Sequence, residues 1–315
     1  MTKGLRIVAV TSLLACAVTI GMAVHDARAE MDGEPAQHLP YYVVMDPPIV
    51  YPGAVIRLQV RPPAGAGGGT VTVAGRRYLG QIEDGMFVVY FAVDIDTLPG
   101  PYEMTYDVGS RHGSRVVTVR PRRMDDEARN ERPISRDDLA LEDLARSNPR
   151  LVSLWNRITL DRYWNGAFES PSSGPMVATF AMRRTSEESL GDPHTGVDLA
   201  ARPGSDIAAS AQGIVALVAD VPGSKIVVLD HGLGLYTYYA GLGDVYVSEG
   251  DWVHHGAPIG RMPANSRAAL HFGARLAGAQ VDPTSLPGIT LRVPEISGEH
   301  HAPKEEKDKK SDYDF

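Results

Sequence analysis

Residues 194–199 read His194-Thr195-Gly196-Val197-Asp198-Leu199, and residues 269–272 read Ala269-Leu270-His271-Phe272. Between them lie short apolar runs: Ile214 to Val218, Lys225 to Leu229, Leu235 to Tyr239 and Val245 to Val247, and Leu270 to Leu276 closes the series. Gly213, Gly223, Gly232, Gly234 and Gly250 stand at or near the turns. Runs of this length bounded by glycine predict short strands, so the sequence from Pro171 to Pro294 is expected to fold as a β-sheet domain. His194, Asp198 and His271 offer two imidazoles and a carboxylate, a set suited to zinc with a fourth position left to water. Neither half of the signal is specific alone, because H-x-x-x-D arises often by chance and a lone strand histidine is more often packed than ligating.

Working outward, residues 41–122 show a second set of β runs. Val55 to Val60 alternates in part, and Phe87 to Val93 and Val116 to Val119 are rich in β-formers. Turn signals at Pro52-Gly53, Gly65 to Gly69, Glu83-Asp84-Gly85 and Pro99-Gly100 recur at intervals that predict an immunoglobulin-like sandwich. Nothing in it reads as catalytic, and His112, beside a turn glycine, reads as solvated. Residues 123–170 turn charged and helical. Ser135 with Asp138 starts a helix carrying Leu139, Leu141 and Leu144, and Asn148-Pro149 is expected to stop it. Leu151 to Ile158 is a second short segment whose Trp155 is expected to pack against a neighbour. The stretch reads as a connector. Residues 295–315, with His300, His301 and Lys304 to Lys310, are charged and almost without apolar content, and read as a disordered tail.

Residues 1–29 read as an export signal. Lys3 and Arg6 precede an apolar run from Ile7 to Val24, and Ala27-Arg28-Ala29 offers small residues for cleavage. A retained anchor and a lipoprotein signal at Cys16 are the alternatives; the run continues past Cys16, which weighs against the lipid anchor. Glu30 to Pro40 reads as a linker. Cleavage after Ala29 removes the one cysteine, leaving a chain without disulfides and without a stable membrane span. It also removes Lys3, Arg6 and Arg28 against Asp26, a net +2, which takes the formal charge from −8 to −10. An acidic chain without a basic patch argues against nucleic acid as a partner.

The order of the motifs is more informative than any one of them. After His194 to Leu199 come Gly213-Ile214-Val215, Val228-Leu229-Asp230-His231-Gly232, Tyr239-Ala240, Gly250-Asp251-Trp252-Val253, Pro258-Ile259-Gly260, Leu270-His271-Phe272 and Val281-Asp282-Pro283. In this order the chain resembles the lysostaphin-like (LytM-type) family of zinc peptidases, which cut peptide cross-links in bacterial peptidoglycan. The resemblance covers most of Pro171 to Pro294. It implies a lysostaphin-like β-sheet peptidase domain and His194, Asp198 and His271 as zinc ligands, with His231 at a position that is not a ligand.

The sequence also departs from the family. Where the family has H-L-H this chain has Ala269-Leu270-His271, and where it has Y-A-H-L this chain has Tyr239-Ala240-Gly241-Leu242. Both family catalytic positions, 269 and 241, therefore lack a group that moves a proton or donates a hydrogen bond. Losses of this kind cost about 10²- to 10⁴-fold in rate. The loop Arg261 to Ala268 also looks shorter than the family form. Tyr238, Tyr239, His254 and His255 are the side chains that could substitute. Three readings follow: an exported, periplasmic or extracellular degenerate member that keeps zinc and binds peptidoglycan or regulates a cell-wall hydrolase; an active zinc endopeptidase; and a structural envelope protein without metal.

Overall fold

The computed structural model describes residues 44–122, 148–186, 189–221, 223–264 and 269–293, all within one compact unit, residues 41–315. The expected signal segment, the linker, the helix starting at Ser135, part of the loop Arg261 to Ala268 and the charged tail lie outside the described residues.

The chain is mainly β, as expected. The first part comprises β1 (Val44–Asp46), β2 (Val55–Val60), β3 (Gly68–Val73), β4 (Arg76–Glu83), β5 (Met86–Ala92), β6 (Gly100–Val108) and β7 (Arg111–Val119). Two-residue turns make its hairpins. Ala74-Gly75 and Asp84-Gly85 both have positive φ at their two central residues, the geometry whose twist suits a tight antiparallel pair. All seven strands lie on one hydrogen-bonded path, β1-β2-β5-β4-β3-β6-β7. A parallel bridge from Val50 to Val119 connects the chain after β1 to the end of β7. An immunoglobulin-type sandwich separates four strands from three; here the β3–β4 hairpin joins the two groups.

Of the connector, residues 148–170 are described, and only α1 (Pro149–Trp155) is helical. Asn148-Pro149 begins this helix rather than serving only as a stop. Asn148 caps it by accepting from the Arg150 N–H at 3.0 Å, and proline fits the first turn because its missing N–H has no helical partner there. The remainder runs extended along the second sheet. Leu233 N donates to Thr159 O at 2.7 Å and Tyr163 N to His231 O at 2.8 Å.

The second part contains β8 (Met176–Ala178), β9 (Arg183–Ser186), β10 (Ser189–Pro193), β11 (Gly196–Leu199), β12 (Asp206–Ala208), β13 (Gly213–Val221), β14 (Ser224–Asp230), β15 (Leu235–Leu242), β16 (Asp244–Val245), β17 (Trp252–Val253), β18 (Pro258–Arg261), β19 (Leu270–Leu276) and β20 (Ala279–Val281). Its main sheet has the order β17-β13-β14-β15-β19-β11-β8, with β20 on β19. β12, β18 and β16 form a small separate sheet.

Antiparallel partners share a face, so the register sorts the main sheet. Ala240 pairs with His271, Tyr238 with Gly273 and Tyr236 with Arg275, while Asp198 pairs with His271; these residues make one face. Leu235, Thr237, Tyr239, Leu270, Phe272 and Ala274 make the other. The second face joins one core with the first β part: Phe272 and Val197 belong to the same cluster as Phe87 and Ile56. The first face is partly covered by α1, where Leu151, Leu154 and Trp155 pack with Leu217, Ile226, Val228, Tyr236 and Tyr238. Burial of each such side chain contributes roughly 1.5–3 kcal/mol. Trp155 therefore does pack against neighbours: its ring meets Tyr236 at 5.7 Å and lies under the Arg275 guanidinium at 5.0 Å.

His231, at the β14–β15 turn, is fully buried. Its Nδ1 lies 2.8 Å from Gln212 O and its Nε2 2.7 Å from Thr237 Oγ1. Burial lowers its pKa to about 4, so it is neutral in the folded protein near neutral pH. Between that value and the ordinary ~6.5 the unfolded chain binds a proton the folded one refuses, so this contribution is complete above pH 6.5 and lost as pH falls. Denaturant unfolding is expected to show about 3 kcal/mol lost through this group between pH 6.5 and 4. The slope should flatten in His231→Gln, which keeps a polar group at the site.

Candidate metal centre

The site is built by two neighbouring strands and the turn before one of them. The β11–β19 register places Asp198 directly across from His271. His194 lies two residues ahead of β11, with its backbone held on both sides: His194 N donates to Met182 O at 2.9 Å, and Ala181 N donates to His194 O at 2.8 Å. The three residues are 1%, 7% and 3% exposed for His194, Asp198 and His271, so their polar atoms must be satisfied within the protein or by something bound there.

Those atoms form a nearly equilateral triangle. His194 Nε2 is 3.1 Å from His271 Nδ1, His271 Nδ1 is 3.1 Å from Asp198 Oδ1, and His194 Nε2 is 3.2 Å from Asp198 Oδ1. A tetrahedron built on bonds of about 2.0–2.1 Å has edges of about 3.3 Å, so the triangle approximates one face of such a site. His194 Nδ1 lies 2.8 Å from Thr179 O. A carbonyl only accepts, so Nδ1 carries the proton and Nε2 turns a lone pair inward, the outer-partner arrangement that suits a ligating histidine. Burial alone would raise the Asp198 pKa, but the two imidazoles beside it, His194 and His271, outweigh burial and hold the carboxyl well below its usual range. A carboxylate that stays ionised between two imidazoles is a donor set for a divalent cation.

The glycine inside H-T-G-V-D has a physical reason. A Cβ on Gly196 would stand 2.5 Å from Phe272 O and 2.9 Å from His271 Nε2, so only a bare Cα lets the His271 ring lie this close. The ring also packs against Tyr238, centroids 5.7 Å apart.

Positions 241 and 269 carry no proton-transfer group: Gly241 follows Ala240, which pairs with His271, and Ala269 stands two residues before His271. Gly241 also sits at a register shift between β14 and β15, with φ at +90°, a backbone conformation that a side chain other than hydrogen strains. The four substitutes proposed from sequence are occupied elsewhere or distant. Tyr239 lies on the opposite face, fully buried, with its hydroxyl 2.7 Å from Ser210 Oγ. His254 and His255 follow β17, the far end of the sheet path from β11, and His255 faces Glu169 at 3.4 Å. Tyr238 alone shares the metal face, and its hydroxyl donates to Thr195 O at 3.0 Å. Sequence reasoning weighed Tyr238 only as a stand-in catalyst and missed both Thr179, known through a backbone atom, and Gly273, whose bare Cα makes room for Tyr238. His112 is exposed, as expected.

Residues 192–283, which include all three site residues, match Peptidase family M23. That stretch is similar to the M23 peptidase domain. Among curated proteins this domain is similar to the DD-carboxypeptidase/endopeptidase Mpg of Neisseria meningitidis serogroup B, 34% identical over 108 residues. It is also similar to the Neisseria gonorrhoeae protein of the same name, 33% identical over 108 residues. Each match covers 33% of this chain and only 24% of the relative's length. Among solved structures, a Pseudomonas aeruginosa protein described as peptidase M23 has a TM-score of 0.56 at 21% identity, covering 76% of this chain and 95% of that one. That likeness extends the shared fold beyond the M23 domain, into the parts of the chain ahead of it.

Zinc added to metal-free protein is expected to raise its stability by about 2.7 kcal/mol at a hundredfold excess over Kd. Calorimetric titration should show that binding lost in His271→Ala and in Gly196→Ala, the latter because its methyl displaces the His271 ring. Retained affinity in Gly196→Ala would sink this account of the motif glycine.

Proposed function

We propose that this chain is an exported, peptidoglycan-directed M23 protein that holds zinc at His194, Asp198 and His271 but has little or no peptidase activity. It acts as a wall binder or a regulator of a cell-wall hydrolase. The observation that carries this reading is the emptiness of positions 241 and 269 beside an intact ligand triangle. Bound zinc supplies a Lewis acid and acidifies a coordinated water. The remaining work of a peptidase, taking a proton from that water and stabilising the developing oxyanion, belongs to neighbouring side chains. Ala269 and Gly241 do neither; among the described residues Tyr238, Tyr239 and His255 are held in other contacts, and His254 follows β17 at the far end of the sheet path.

The match to Peptidase family M23 supports the choice of peptidoglycan, as does the DD-carboxypeptidase/endopeptidase name of the Neisseria relatives. Export is supported by the signal-like residues 1–29. No described helix is long and apolar enough to cross a membrane. The second reading, an active zinc endopeptidase, is favoured by one observation: the triangle is complete, with the outer partner Thr179 in place.

The two readings separate on purified peptidoglycan. Residues 30–315, incubated with zinc and purified wall, are expected to co-sediment with it and release no new peptide termini by mass spectrometry, while an active M23 enzyme releases them in parallel. Release that disappears in His271→Ala establishes the active reading instead.

Restoring the family residue at 241 should not be simple. Gly241→His is expected to lower stability by about 1–3 kcal/mol through its φ alone, read by denaturant unfolding. Ala269→His, just ahead of β19 and without a positive φ, should cost less.

A further inference from the structure

Tyr238 stands on the metal face of β15, diagonal to His271 across the strand pair. Its place exists because residue 273 is glycine: a Cβ there would stand 2.0 Å from Tyr238 Cζ. The ring leans on the His271 ring at an interplanar angle of 36° and is backed from the connector by Trp155 at 5.9 Å. Its hydroxyl donates to Thr195 O at 3.0 Å, and Gln280 Nε2 reaches the same carbonyl at 3.4 Å. Thr195 follows His194 directly. One side chain, 7% exposed, therefore touches the ring of one candidate ligand and the turn that carries another.

We infer that Tyr238 is a positioning residue of the metal centre. Its ring packs against that of His271, and its hydroxyl ties the 194–195 turn to β15. Together these contacts hold His271 Nδ1 and His194 Nε2 at their 3.1 Å separation before an ion arrives. A site whose ligands are already oriented loses less side-chain freedom on binding, and partners outside the ligand shell typically carry about 10- to 100-fold of metal affinity. The inference rests on the reading of His194, Asp198 and His271 as ligands.

The test titrates the metal-free full chain with cobalt(II), followed by its visible absorption, and then displaces it with zinc. Tyr238→Phe keeps the ring and removes the hydroxyl that bonds Thr195; it is expected to weaken zinc about 10-fold. Tyr238→Leu removes the ring as well and should approach 100-fold, with an altered cobalt spectrum as His271 reorients. Tyr239→Phe is the control: it removes a buried hydroxyl on the same strand but the opposite face, so it should lower Tm and leave affinity within about twofold of wild type. Affinity within about twofold in both Tyr238 variants overturns the inference, as does an equal loss in Tyr239→Phe, which would make the effect general destabilisation. Wild type that binds no cobalt, or binds it equally well in His271→Ala, overturns the metal reading and this inference with it. Wild-type binding that is lost in His271→Ala but untouched at Tyr238 overturns this inference alone. Should Tyr238→Leu fail to fold, Tyr238→Phe still decides.

Discussion

The pairing of Asp198 with His271 across β11 and β19 is the constraint on which the rest of the site depends. Strand register is all or nothing, because a slip of one residue moves every side chain to the opposite face. Here such a slip would bury Phe272 and Val197 on the metal face and send His271 into the core. The apolar residues on either side of each ligand, Val197 and Leu199 on one strand and Leu270 and Phe272 on the other, are fully buried and fix the register energetically. The same packing that stabilises the sheet thus aims the candidate ligands.

Two faces of one sheet carry different tasks. The face with Phe272 and Tyr239 joins the common core, while the face with His271 is shared between the metal triangle and the connector helix. A ring relay, Trp155 to Tyr238 to His271, crosses the boundary between those two uses. The helix is anchored at its ends by Arg150 with Glu249 at 2.7 Å and, just beyond it, by Thr159 with the buried carboxylate of Asp230 at 2.5 Å. The exposed first pair contributes little; most of the hold comes from apolar burial.

Much of this was legible in the residues. The strand from Leu270 to Leu276 was read with its observed bounds, because alternating apolar residues between turn signals leave little choice, and His194, Asp198 and His271 were singled out by their types and order. Less legible were features that depend on backbone atoms or on distant partners. Thr179 contributes a carbonyl, which any residue could supply. Gly273 reads as an ordinary strand glycine until Tyr238 is seen lying over it. The connector's charge and leucine spacing read as helical, yet beyond α1 residues 159–163 pair with the β14–β15 turn, an interaction no local pattern announces.

The shared core has a consequence for how the M23 domain can be handled. A Cβ on Gly53, in the first β part, would meet the Phe180 ring at 2.3 Å, Gly53 O accepts from Asp282 N at 2.8 Å, and Arg122 pairs with Asp282. Phe180 stands one residue beyond Thr179, whose carbonyl orients His194. A fragment cut near residue 171 would leave that phenylalanine and its apolar neighbours facing water, one step along the chain from the metal centre. The peptidase-type sheet is not a cartridge that can be lifted out; its ligand geometry is underwritten by a surface that another part of the same chain supplies.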